Sequence, residues 1–121
     1  MNKEEIIERL VELQKQEFTR MSYYDIEPLI KSRRINPTAA QINIIDKYMN
    51  RFVKLDKPHT CLLCGGNDYS WGLQHGSAYC TCGWEYRLYH YIEDEEGNNL
   101  TGGRIEMALQ YHPDSYSVAE Q

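Results

Sequence analysis

The four cysteines of the chain fall within 22 residues, as Cys61-x-x-Cys64, a fifteen-residue spacer and Cys80-x-Cys82. Glycine follows each pair, at Gly65 and Gly83. A tight turn can aim two thiolates at one point, and two such turns facing each other put four sulfurs at the corners of a tetrahedron. Zinc takes that arrangement, with sulfur about 2.3 Å away. The glycine after the second thiol permits positive φ and keeps a side chain out of the turn. Disulfides compete with this reading, since four cysteines allow three connectivities. A Cys80–Cys82 bridge is strained, however, and a cytosolic chain seldom keeps such bonds. A dithiol redox site needs the first pair alone and leaves the second unexplained. The spacing therefore predicts one structural zinc ion held by Cys61, Cys64, Cys80 and Cys82. His59 and His75 are spare ligands that a four-thiolate shell does not need.

The stretches CLLCGG and CTCGW resemble the two knuckles of a zinc ribbon, over residues 59–92, roughly a quarter of the chain. The second knuckle is C-x-C where the common ribbon has C-x-x-C. The resemblance implies a β-rich module with one zinc and with each knuckle at the tip of a β-hairpin. It implies no single function, because ribbons occur in transcription factors, polymerase subunits, ribosomal proteins, nucleases and small viral proteins. A catalytic zinc keeps a position open for water, commonly with three protein ligands; four thiolates close the shell. The H-x-E with P-C-x-x-C signature of zinc deaminases and the H-E-x-x-H of metalloproteases are absent. No G-x-S-x-G elbow or Ser-His-Asp spacing occurs, and Asp94, Glu95 and Glu96 read as a turn cluster. The expectation is a protein that is not an enzyme and has no small-molecule substrate.

The elements that must position this site divide at LDKPHT, residues 55–60. Ahead of it lies a helical unit, 1–57. Asn2 and Glu5 have capping-box spacing, and Ile6, Leu10, Leu13 and Phe18 recur at helical intervals, with Ile7 and Val11 widening the stripe. A second helix starts near Ser22 or Asp25, with Pro28 in its first turn. Asn36 as N-cap and Pro37 as the first helical residue open a third, running to about Val53 with Ile42, Ile45, Met49 and Phe52 on its apolar face. Behind the boundary, residues 58–112 hold both tryptophans, most of the tyrosines and frequent glycine, the composition of short aromatic strands with turns. WEYRLYHYI reads as a strand with Trp84, Tyr86, Leu88, His90 and Ile92 on one face and Glu85, Arg87, Tyr89 and Tyr91 on the other. EDEEGNN is a turn, GGRIEMALQY a further strand or short helix, and residues 113–121 a mobile tail. The fold class is α+β: an N-terminal three-helix unit packed against a small zinc-stabilised antiparallel β-ribbon module.

Charge is uneven. Residues 1–57 carry 11 Lys and Arg against 9 Asp and Glu, a net +2, whereas residues 58–121 carry 2 against 9, a net −7. An acidic half of this kind is a poor generic phosphate binder and suits a protein partner, or a surface imitating nucleic acid; the bland reading is a solvated acidic face. Tyr89, Tyr91, Glu93, Asp94 and Glu95 are the expected partner contacts, while Trp84 and Tyr86 are expected in the core. Lys31, Arg33 and Arg34 form a basic turn that suggests direct DNA or RNA binding as the alternative, with ribbon aromatics stacking bases. No apolar run approaches the roughly 20 residues that span a bilayer, and MNKEEIIERL lacks the apolar core of a signal peptide. A cytoplasmic accessory or inhibitory protein acting on a protein within nucleic-acid machinery, of phage or mobile-element type, is the resulting expectation.

Overall fold

Three capped helices lead into a five-stranded antiparallel sheet. The computed structural model describes residues 2–55, 60–66, 69–72 and 77–116. Helix α1 spans Lys3–Gln14, α2 Tyr23–Ser32 and α3 Ala39–Met49; strands follow as β1 Phe52–Val53, β2 Tyr69–Gly72, β3 Ser77–Cys80, β4 Glu85–His90 and β5 Ile105–Tyr111, ahead of a 3-10 turn at Pro113–Ser115. This is the expected α+β architecture.

Each helix begins where a side chain can satisfy an N–H that the helix cannot. Asn2 Oδ1 accepts the amide of Glu5 at 2.9 Å. At α2 the Asp25 carboxylate accepts the Ser22 amide at 2.7 Å. At α3 the box is reciprocal: Thr38 Oγ1 accepts from Gln41 N, and Gln41 Oε1 from Thr38 N. Thr38 is thus the cap in place of Asn36, and Pro37 lies ahead of the helix. Pro28 sits in the second turn of α2 instead of the first. The amide it lacks leaves the carbonyl of Tyr24 without an intrahelical donor, which exposure at Tyr24 makes tolerable. Helix α3 stops at Met49 and not at Val53, because Phe52 and Val53 pair with Tyr111 and Gln110 as a short edge strand. On α1 the buried seam is narrow: Leu10 and Leu13 are buried, but Ile7 and Val11 are each 44% exposed. Val11 lies about 100° around the helix from buried Leu10, and Ile7 the same angle from half-buried Ile6, both outside the seam.

The strand order is β1-β5-β4-β3-β2, so the last strand made lies second in the sheet. Val53, Gln110, Tyr86 and Ala78 stand in register across four strands and therefore share a face. Leu109, Arg87 and Ser77 form a row on the opposite face. There Phe52, Ile105 and Leu109 meet Ile26 and Ile30 of α2 and Ile45 and Met49 of α3 in one core, with Ile92 and Leu100. A second core joins Leu10 and Leu13 of α1 to Cys61, Leu63, Cys80 and Trp84. The stretches 1–57 and 58–112 thus contribute to both cores.

The β4–β5 register shifts between Arg87 and Tyr89, where two steps along β4 pass three along β5, so the extra residue lies on β5 between Glu106 and Leu109. Trp84, Tyr86 and Ile92 are buried, while Glu85 and Arg87 are half-buried and Tyr91 exposed. The side chains of Leu88, Tyr89 and His90 lie outside the described residues. Of the stretch 113–121, expected as a mobile tail, Pro113–Ser115 form the 3-10 turn against α1 and Tyr116 stacks on Trp84; residues 117–121 are outside the described residues.

Candidate metal centre

The second cysteine pair is built by a hairpin. Strand β3 ends at Cys80, β4 begins at Glu85, and the turn between them closes through Cys80 N to Trp84 O at 2.9 Å and Gly83 N to Cys80 O at 2.8 Å. Gly83 turns the chain at φ +96°. The first pair lies in a turn ahead of β2, closed by Cys61 N to Gly66 O at 2.7 Å and Gly65 N to Cys61 O at 2.8 Å, with Gly65 at φ +74°. The two knuckles use the same device on different frames, one on a hairpin tip and one on a turn docked to the sheet.

That docking depends on Gln110, buried in the β5 row. Its Oε1 accepts the amide of Leu62 at 2.7 Å and its Nε2 donates to the carbonyl of Thr60. From the other side Arg9 of α1 donates to the carbonyl of Leu63 at 3.2 Å. The knuckle is thus held by its backbone groups, from a strand and a helix, leaving both sulfurs free to point inward.

They meet the other two. All four sulfurs lie within 4.8 Å of one another. The contacts Cys61–Cys82 and Cys64–Cys80 measure 3.5 and 3.4 Å. A bonded disulfide would need about 2.05 Å, whereas tetrahedral zinc at the usual bond length separates its sulfurs by about 3.8 Å. Four cysteines are in a metal-binding arrangement, and the chemistry of four soft thiolates suits zinc or another thiophilic ion. Gly66 donates its amide to Cys64 Sγ at 3.4 Å, and an added Cβ there would come within 3.3 Å of that sulfur.

Electrostatics also call for a cation. Burial pushes the Cys61 thiol far above its ordinary range and Cys82 up to about 11. At Cys80 burial acts the same way, but the amide of Cys82 and neighbouring thiols outweigh it and hold the group down. Four adjacent sulfurs with no cation cannot all ionise; a divalent ion at their centre removes that conflict.

The surroundings are apolar and tight. Cys61 and Cys80 are buried with Leu63 and Trp84, Cys82 is half-buried and Cys64 is exposed. Tyr116 stacks on Trp84 with centroids 4.8 Å apart and planes 15° from parallel. Its hydroxyl lies 3.2 Å from where a Cβ on Gly83 would stand, so the knuckle glycine also admits this ring.

The other residues singled out in the sequence do not gather at this centre. Tyr91 is exposed and its hydroxyl accepts from Arg104 Nε at 3.4 Å. Glu93 and Glu95 are exposed. Asp94 organises its own turn, accepting from the amides of Glu96 and Asn98 and from Asn98 Nδ2; these bonds hold its carboxyl below the usual range. Lys31 pairs with Glu27 at 3.3 Å. Arg33 donates to the carbonyls of Thr101 at 2.8 Å and Arg104 at 2.7 Å, closing the Gly102–Gly103 turn. Arg34 is exposed after α2 at φ +60°. Tyr89's side chain and His59 and His75 are outside the described residues. Gln110, Arg9 and Tyr116 are not legible in the sequence because their partners Leu62, Leu63 and Trp84 are 48, 54 and 32 residues away.

Comparison with protein-family models, with curated proteins and with solved structures finds no match.

Proposed function

We propose that this is a zinc-ribbon-like binding protein in which one structural zinc ion holds the two knuckles together. The observation that carries this reading is the set of four sulfurs within 4.8 Å of one another. Four thiolates fill a tetrahedral shell and leave no position for water or substrate, which supports binding over catalysis. In this reading the partner is a protein of the nucleic-acid machinery, and the protein is its accessory or inhibitor. Exposed Tyr91, Glu93 and Glu95 beside the 93–99 turn are the proposed contact surface, within a half of the chain whose net charge is −7. Direct phosphate binding at Lys31–Arg34 has weaker support, since Lys31 and Arg33 already have intramolecular partners.

Two measurements test this in order. Elemental analysis and X-ray absorption of the reduced protein are expected to give about one zinc per chain in a four-sulfur shell. Affinity capture is then expected to retain a specific protein with the wild type and to lose it with Tyr91→Ala plus Glu93→Lys. Binding to DNA or RNA that falls steeply with salt and is lost with Arg34→Glu would overturn the protein-partner reading.

A further inference from the structure

We propose that Cys64 is a peroxide-sensitive modification site whose oxidation produces a Cys64–Cys80 disulfide and expels the metal. The proposal rests on the zinc reading above for its metal and on geometry alone for its disulfide.

The four sulfurs are unequal in access. Cys61 and Cys80 are 1% and 3% exposed, whereas Cys64 is exposed and Cys82 half-buried. The two residues after it are glycines; a Cβ at Gly65 would meet nothing within 4 Å, so the approach beside Cys64 is open. A small oxidant reaches this sulfur first. The Cys80 sulfur, 3.4 Å away on the other knuckle, is in place to react next. It needs to close by about 1.4 Å to reach disulfide bonding distance.

The chemistry balances with a hydroperoxide as the two-electron oxidant. The Cys64 thiolate attacks one peroxide oxygen; an S–O bond forms, the O–O bond breaks, and the leaving hydroxide takes a proton and departs as water. Cys80 sulfur then attacks the sulfenic acid; the S–S bond forms, the S–O bond breaks, and a second water leaves with another proton. Both electrons come from the sulfurs, and two of the four metal ligands are lost. The new bond joins the two knuckles, as the metal did. A Cys61–Cys64 bond would leave the knuckles unconnected.

The test uses the full-length, zinc-loaded protein and hydrogen peroxide. Zinc release is followed with a chromogenic chelator, dimedone traps the sulfenic acid, and chymotryptic peptides are mapped without reduction. No Lys or Arg lies between Lys57 and Arg87, so trypsin cannot separate the knuckles, whereas chymotrypsin can cut at Tyr69 and Trp71. The expected results are dimedone labelling at Cys64 at least about tenfold over Cys61 and Cys80, a Cys64–Cys80 crosslink, zinc loss in step with it, and recovery on thiol reduction. A Cys61–Cys64 disulfide as first product, or zinc retained under excess peroxide, overturns the proposal. A purified chain without zinc would overturn the structural-zinc reading instead, while the disulfide map would still decide which pair forms.

Discussion

Replacing Gln110 with leucine separates a scaffold that merely supports the cysteines from one that shapes their site. The side chain is 0% exposed and makes two bonds to the first knuckle, to the amide of Leu62 and the carbonyl of Thr60. Leucine is close in volume but satisfies neither. A buried polar group left unpaired costs about 1–3 kcal/mol. Leu62 and Thr60 are half-buried, so water can reach each in part and the lower half of that range applies. Two groups at about 1.5 kcal/mol each, less about 1 kcal/mol recovered from apolar burial of leucine, leave a loss of about 2 kcal/mol. In a domain of this size that lowers the melting temperature by roughly 6–10 °C. Because the bonds fix the knuckle that aims Cys61 and Cys64, zinc affinity is expected to fall about 10–100-fold as well. Thermal melts with and without zinc, together with chelator competition, measure both effects. Equal destabilisation of the metal-free and zinc-loaded forms by Gln110→Leu, with zinc affinity unchanged, would show that Gln110 does not shape the site. Gln110→Glu keeps the acceptor for Leu62 but faces a carboxylate toward the Thr60 carbonyl, so it should be no milder.

Three other outcomes are expected. Trp84→Ala removes the largest fully buried side chain of the metal-side core and should cost about 3–5 kcal/mol by denaturant melt, while Trp84→Phe should cost less than half of that, its lost indole N–H having no hydrogen-bond partner among the described residues. Gly102→Ala, at φ +71°, would run into Ile35 Cδ1 and should lose about 2–3 kcal/mol, whereas Gly97→Ala, at φ +83° with open space around it, should lose only about 1 kcal/mol; equal losses would contradict the packing at Ile35. Burial raises the Asp25 carboxyl, but Lys54 at 2.7 Å and Ser22 outweigh it and hold the group below its ordinary value of 3.8. Its contribution is therefore complete above about pH 4 and is lost as pH falls through the lower folded value. The stability gap between wild type and Asp25→Asn, read by urea melts, should shrink below pH 4 and stay flat from pH 5 to 7.

The sequence was most legible where a few residues decide the local structure. The cysteine spacing brings the same four sulfurs together, and the Asn2–Glu5 spacing starts α1 where expected, because each cysteine pair and the cap are set by residues two or three positions apart. Asn36-Pro37 is as good a local helix start as Thr38-Ala39; Thr38 wins because Gln41 lies at the right offset to return its hydrogen bond. Phe52 fits the apolar stripe of α3 as well as it fits a strand. Pairing with Tyr111, 59 residues on, decides it, and nothing near Phe52 encodes that partner. The same limit hides Gln110 and Arg9. A glutamine in a run of strand-forming residues looks like an outward-facing position until the backbone it serves is folded against it. Arg33 reads as a free cation beside Lys31 and Arg34, and only the 101–104 turn, nearly seventy residues later, shows what it holds.

The core around Cys61, Cys80 and Trp84 also bears on the order in which the chain can mature. Helix α1 is made early, yet beyond Ile6 and Phe18 the residues clustered with Leu10 and Leu13 are Cys61, Leu62, Leu63, Cys80, Cys82, Trp84 and Tyr116. A growing chain must carry an amphipathic helix with much of its apolar seam uncovered until most of the sheet exists. Closing such distant contacts is slow, and the waiting intermediate is prone to self-association. In the proposed zinc-bound form, zinc supply during synthesis would then govern soluble yield as much as final stability.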